Sequence, residues 1–229
     1  MVSASPSATA SPKVTVSASL TASPMAVRDG PLPAGTYVWE PSEAEDDHWT
    51  GCPQPDTEGC SDPSDPYSIR FSFTLPDGWS GPEISPADVK YDAPDGAAIL
   101  FTRGNWLYSD PCRHDDALAD VPVGPTVDDF ADALADHPLL DVTAPTDVTL
   151  GGYSGKYVEL QVPSDIAECD IYRPWGRGLY AQGPSNRWRL WILDVDGLRV
   201  VVQASDFPGT SQQHRDELQA IVDSIRIER

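Results

Sequence analysis

The chain has 229 residues, with 36 Asp and Glu against 15 Lys and Arg, a formal net charge of −21 and a pI near 4.2. A surface this acidic repels phosphate and lacks the basic stripe that counterion release requires, which excludes a nucleic-acid binder and disfavours anionic membrane surfaces. With 40% apolar and 9% aromatic residues there is material for one sizeable core, so wholesale disorder is excluded as well.

Residues 1–26 contain seven Ser, six Ala, three Thr and three Pro, so 19 of 26 positions are small or proline and none can nucleate a core. Residues 1–31 therefore read as a disordered tether, with an α+β domain over 32–229. Met1 to Thr9 has neither a basic start nor a continuous apolar stretch, so it does not read as a secretory signal. No later run approaches the roughly eighteen apolar residues of a membrane span. Ser/Thr/Pro-rich tethers hold a domain away from an anchor, which points to an extracytoplasmic address, secreted or attached to the cell envelope. Whether an anchor or a cytoplasmic domain precedes Met1 is left open.

Between Glu40 and Asp65 lie nine acidic residues and no Lys or Arg, interleaved with Pro, Gly and the first two cysteines. Residues 40–66 must therefore form a surface loop, within an acidic, disulfide-bearing front segment over 32–66. Cys52, Cys60, Cys112 and Cys169 are even in number and lack the Cys-x-x-Cys spacing of zinc or thioredoxin sites, so disulfides are expected rather than reduced, buried thiols. Of the three possible pairings the favoured one joins Cys52 to Cys60, pinning a turn, and Cys112 to Cys169, tying two distant loops.

From residue 69 the pattern becomes regular. Ile69, Phe71, Phe73 and Leu75 alternate with Arg70, Ser72 and Thr74, the period of a strand with one buried face, and Pro76-Asp77-Gly78 ends it. Ala97–Thr102 and Trp106–Tyr108 read as a hairpin across Arg103-Gly104-Asn105. Thr126 opens a helix with Asp129 as its capping partner and Val127, Phe130 and Leu134 on one face, and His137-Pro138 stops it. Val148–Leu150, a Gly151-Gly152 break and Tyr153–Val162 come next. In the strand after that, Trp188, Leu190 and Ile192 face one way and Arg187, Arg189 and Trp191 the other. Asp196-Gly197 turns the chain back through Arg199–Gln203. A last helix begins near Thr210 or Ser211 and presents Leu218, Ile221, Val222 and Ile225 at i, i+3, i+4 and i+7. Mostly adjacent strands with two main helices predict an α+β single domain built on an antiparallel sheet.

The strand ending in Phe73-Thr74-Leu75-Pro76-Asp77-Gly78-Trp79, the Gly151-Gly152-Tyr153-Ser154-Gly155-Lys156-Tyr157 lead into a strand, and the closing hairpin and helix ending in Ile221-Val222-Asp223-Ser224-Ile225 resemble Mog1/PsbP-like domains. The resemblance covers about residues 67–229 and is nearest to such domains in secreted and lipid-anchored actinobacterial proteins. It implies a non-catalytic binding scaffold and carries no catalytic residues to transfer; fold alone does not give function.

Gly152-Tyr153-Ser154-Gly155-Lys156 falls short of a nucleophile elbow because Lys156 stands where the sharp turn needs Gly, and it falls short of a phosphate loop because Leu150 stands at the first glycine position. His48, His114, His137 and His214 are scattered and form no zinc motif. The acidic stretch is rich in oxygen donors for calcium but has no Asp-x-Asp-x-Asp-Gly order. No metal site and no cofactor are therefore expected.

One segment departs from the background. Arg173, Arg177, Arg187 and Arg189 fall between Asp170 and Leu190, together with Tyr172, Trp175, Tyr180, Trp188 and, just beyond, Trp191. In so acidic a chain this is a local positive, aromatic island. Guanidinium forks bind carboxylate or phosphate in pairs of hydrogen bonds, and flat rings stack on sugars or peptide side chains. Arg173, Trp175, Arg177, Arg187, Arg189 and Trp191 are the candidate ligand-binding residues, facing a protein or glycan partner. The competing reading pairs these arginines with the surplus acids inside the molecule. The leading expectation is an extracytoplasmic, non-catalytic binding or sensory domain; the alternatives are a secreted hydrolase with an unidentified carboxylate pair and a calcium-dependent surface module.

Overall fold

The computed structural model describes residues 24–41, 68–112, 119–176 and 180–229. In chain order its first strands are β1 (Met25–Ala26), β2 (Gly30–Leu32), β3 (Gly35–Trp39), β4 (Arg70–Leu75), β5 (Trp79–Gly81), β6 (Ser85–Pro86), β7 (Ala97–Thr102), β8 (Trp106–Leu107) and β9 (Val121–Pro122). Helix α1 (Val127–Ala135) follows, then β10 (Asp141–Val142), β11 (Thr146–Leu150), β12 (Tyr153–Gln161), β13 (Arg187–Val195), β14 (Leu198–Asp206), helix α2 (Gln212–Ser224) and β15 (Arg226–Glu228).

Two tight turns fix the central sheet. Gly151 and Gly152 both have positive φ, as do Asp196 and Gly197, the conformation that two-residue hairpins need to match strand twist. The first folds β11 onto β12 and the second folds β13 onto β14, where Asp194 also accepts the Gly197 N–H at 2.7 Å. The sheet runs β10-β12-β13-β14-β7, all antiparallel, with β11 sharing the outer edge of β12 with β10.

Strand alternation then assigns the two faces. Trp188, Leu190 and Ile192 of β13 join Val158, Leu160 and Val201 beneath Phe130, Ala131 and Leu134 of α1. Trp191, Leu193 and Val195 turn the opposite way, into a second core with Val200, Val202, Ile99, Phe101 and the stripe Leu218, Ile221, Val222 and Ile225. A smaller sheet, β1-β3-β4-β15, closes that second core with Tyr37, Phe71 and Phe73. The molecule is a mixed α+β domain whose central sheet is covered on both faces, as the reading of Trp188, Leu190 and Ile192 against Arg187, Arg189 and Trp191 required. Among the described residues no helix is long and apolar enough to cross a membrane.

Helix α1 starts as its sequence dictates. The Thr126 hydroxyl accepts the Asp129 N–H at 3.1 Å, and the Asp129 carboxylate accepts the Thr126 N–H at 2.8 Å, a reciprocal capping box. Ser211 caps α2 by accepting the His214 N–H at 3.1 Å.

Three expectations change. Residues 97–108 do not form a hairpin: β7 pairs with β14 and β8 pairs with β9, because Ala97–Thr102 finds its apolar partner in the long, buried β14. The folded body begins before residue 32, since Met25–Ala26 lies parallel to Tyr37–Val38 and Gly30–Leu32 pairs with Trp79–Gly81. The C-terminus adds β15, whose Ile227 pairs with Phe71 and donates its N–H to the Gly151 carbonyl. Cys112 and Cys169 form the expected disulfide, across a separation of 57 residues. Cys52, Cys60 and the acidic run from residue 42 lie outside the described residues.

Candidate functional site

The six residues of the arginine and aromatic island divide. Arg187, Arg189 and Trp191 stand at alternate positions of β13 and so share one face of the sheet, but Trp191 is 7% exposed and packs into the second core, so it leaves the expected recognition surface. Arg173 and Trp175 correct the expectation of a single recognition surface: they are 6% and 0% exposed. Trp175 packs edge-on against both Phe130 and Trp188, and Arg173 lies over the Tyr108 ring. The cause is covalent and apolar at once, since the Cys112–Cys169 bond holds this loop against the sheet and the core under α1 takes up the indole. Arg177 lies outside the described residues.

Around Arg187, Arg189 and Trp191 the fold gathers residues that the sequence did not single out. Register places Tyr157 opposite Trp191, Glu159 opposite Arg189 and Gln161 opposite Arg187. On the other side, Asp206 of β14 lies opposite Arg187. Helix α2 overhangs the strip and supplies Arg215 and Gln219, one turn apart.

Asp206 is the strip's anchor. Its carboxylate is 3% exposed and accepts Arg187 Nη2 at 2.8 and 3.1 Å, Arg187 Nε at 3.2 Å and Arg215 Nε at 3.0 Å. Arg189 is held differently. One of its nitrogens, Nη1, donates to Gln219 Oε1 at 2.5 Å, and its guanidinium lies 5.8 Å from the Trp191 ring centroid. Gln219 is oriented in turn by donating to Asp223 at 2.8 Å. Arg189 Nε and Nη2 are shielded from water and have no acceptor among the described residues. Burial pulls the Arg189 guanidinium below its ordinary value, and the Asp206 carboxylate works against that shift.

Glu159 faces Arg189 in the register yet bonds elsewhere: its carboxylate accepts the Tyr157 O–H at 2.6 Å. Burial and the Glu159 carboxylate push the Tyr157 phenol well above its usual range, so it stays a donor. Tyr157 also leans on Trp191, with ring centroids 5.2 Å apart. Three guanidinium groups meet three carboxylates here, Asp206, Glu159 and Asp223, so the strip is balanced in charge within a chain of net −21.

A second concave feature lies on the opposite face, at the start of α1. It is an open cleft of about 500 Å³ lined by residues that include Thr126, Asp128, Asp147, Ser154, Lys156 and Asp194. Ser154 and Lys156 share the strand face, as their i, i+2 spacing requires, but this is not a Ser–Lys dyad. Lys156 Nζ donates to Asp147 at 2.6 Å and lies 3.5 Å from Asp128, and the Asp147 hydrogen bond raises its pKa, so it stays protonated and cannot act as a base. Arg199, beneath the cleft, is 4% exposed and donates to the Gly124 and Thr126 carbonyls, with Asn105 Oδ1 at 3.0 Å. Burial and the neighbouring Arg103 bring its pKa down to about 10.

Among the described residues no three His, Cys, Asp or Glu side chains are grouped to hold a metal ion. His137 Nε2 meets the Tyr108 carbonyl at 2.9 Å and His214 Nε2 sits 3.4 Å from Asp88, while His48 and His114 lie outside the described residues.

Compared with known proteins, the chain matches no family model and no curated protein sequence. Among solved structures it is similar to LpqN, which is involved in cell envelope biogenesis of Mycobacterium tuberculosis. The identity is 14% and the TM-score 0.35, over 88% of this chain and 91% of that one. At that level the likeness decides neither fold nor function.

Proposed function

We propose that this chain is an extracytoplasmic, non-catalytic binding domain of the Mog1/PsbP-like kind, whose recognition surface is the β12–β13 strip beside α2. The observation that carries the reading is Arg189, whose Nε and Nη2 have no acceptor among the described residues, beside Arg187 on one sheet face of a molecule of net charge −21. On so acidic a molecule, a charge-balanced strip with open guanidinium donors is a favourable place for an anionic group to bind. An oxidised Cys112–Cys169 pair supports an address outside the reducing cytoplasm. The Mog1/PsbP-like assignment rests on the quoted sequence motifs and on the order of a long hairpin followed by a closing helix.

Thermal-shift titration with acidic peptides and anionic oligosaccharides tests the reading, using wild type and Arg189→Gln. Binding by the wild type that the variant loses, with the unliganded melting temperature little changed, supports a recognition strip. No response to any anionic probe would refute it. The acidic cleft at α1 keeps a hydrolase as the second reading, because Asp128, Asp147 and Asp194 line it. Turnover of an ester, glycoside or peptide substrate that Asp194→Asn abolishes would establish that reading instead.

A further inference from the structure

The Arg189 side chain is set up in an unusual way for a residue facing a carboxylate. Directly opposed residues on antiparallel strands have Cβ atoms about 5 Å apart, close enough for Glu and Arg to close an ion pair. Glu159 and Arg189 are such a pair by register, yet Glu159 holds the Tyr157 hydroxyl at 2.6 Å, and no Glu159–Arg189 ion pair forms. Arg189 uses only Nη1, toward Gln219. The two donors left over, Nε and Nη2, point along the same edge of the guanidinium plane and find no acceptor among the described residues. That edge is the planar fork that receives both oxygens of a carboxylate.

We infer that the Nε and Nη2 fork of Arg189 receives a carboxylate group of the ligand, while Tyr157 holds the chain's own competing carboxylate, Glu159, aside. The inference rests on the proposed recognition strip and names its ligand chemistry. A carboxylate fits better than a phosphate because a dianion meets the repulsion of a chain carrying −21 about twice over. The way in is the solvent edge of the strip, where Gln161 is exposed and Tyr157 and Glu159 are half-buried. Tyr157 is a positioning residue here: it never touches the ligand, and it acts by occupying Glu159.

The test follows the Arg Nε–Hε resonances of the full chain by heteronuclear NMR, with the Arg189 signal identified by its loss in Arg189→Lys. Sodium acetate is titrated against sodium chloride at matched ionic strength. The expected result is a saturating shift of the Arg189 signal with half-saturation on the order of 10 mM, as a single bidentate pair provides, and none with chloride. In Tyr157→Phe, Glu159 is free to occupy the fork, so acetate should bind about tenfold more weakly, which corresponds to a cross-strand ion pair winning the competition. Adding Glu159→Gln to Tyr157→Phe should restore acetate binding.

An Arg189 signal that acetate leaves unmoved, in wild type and in Glu159→Gln alike, would overturn the proposal. Inorganic phosphate binding more tightly than acetate would overturn the carboxylate assignment, and unchanged acetate affinity in Tyr157→Phe would overturn the role given to Glu159. The wider reading fails separately: an acetate-responsive fork in a chain that binds no anionic peptide or oligosaccharide leaves this inference standing and removes the recognition strip. Loss of such binding in Arg189→Gln with an acetate-silent fork does the reverse.

Discussion

Replacing Asp206 should show how the strip is held together. Its carboxylate is almost fully buried and accepts four hydrogen bonds from two guanidinium groups, Arg187 on β13 and Arg215 on α2. Removing one partner of a buried ion pair costs roughly 3–5 kcal/mol because the other charge is left uncompensated. Here the abandoned charges can partly rehydrate, since the side chains of Arg187 and Arg215 are 37% and 28% exposed. The lower limit therefore applies, and Asp206→Ala should lose about 3 kcal/mol, or about 6–12 °C in melting temperature for a chain of this size. Asp206→Asn keeps the packing and one acceptor and should lose about 2 kcal/mol. Urea unfolding followed by tryptophan fluorescence measures both, and a cycle with Arg187→Ala isolates the pair, with a coupling of at least about 1.5 kcal/mol expected. Both single variants within about 0.5 kcal/mol of wild type, or a coupling near zero, would refute the reasoning.

Four further outcomes follow from the same geometry. Cys112→Ser should lose about 4 kcal/mol on the chain-entropy account of a 57-residue separation, read as a fall in the urea midpoint against the wild type under non-reducing conditions. The Thr126 hydrogen bonds hold the Asp129 carboxyl below its ordinary value of 3.8, so its contribution is present above that pH and fades as pH falls through the lowered value. Asp129→Asn should accordingly be less stable than wild type at pH 7, the two converging well below pH 3.8; a difference that persists there would contradict the capping account. Gly155→Ala should fail to fold stably, because a Cβ there lies far inside contact with the Ile192 carbonyl oxygen and must part β12 from β13; a cost above about 4 kcal/mol is expected in thermal melts. Arg199→Met strips the donor from the Gly124 and Thr126 carbonyls and should lose about 3 kcal/mol, with hydrogen exchange of the α1 amides accelerating before that of β13.

What was legible in the sequence had a local cause. The capping box at Thr126, the turn at Asp196-Gly197 and the two faces of β13 follow from residues two to four positions apart, where the period of a helix or strand fixes who faces whom. The partner of β7 was not legible, since Ala97–Thr102 pairs with a strand about a hundred residues away and no turn between them announces it. Nor were the short strands β1, β2 and β15, whose few residues carry too little periodicity to register. The arginine island failed as one surface for a related reason: closeness in sequence across a loop says nothing about which side of the sheet a residue reaches. Trp175 precedes β13 and is drawn under α1, and Arg173 is buried against Tyr108, whereas Arg187, Arg189 and Trp191 alternate on the far face. In a chain where acids outnumber bases so heavily, several of the described guanidinium groups serve as internal ties. Arg103, Arg173 and Arg199 are each no more than 6% exposed, Arg187 and Arg215 clasp Asp206, and Arg229 caps the Val195 and Asp196 carbonyls. Set against these ties, Arg189 is distinctive because its facing carboxylate is engaged by Tyr157 and its fork is left open. A guanidinium whose buried Nε and Nη2 lack an acceptor is costly to keep, which gives this edge a structural reason to meet an anion.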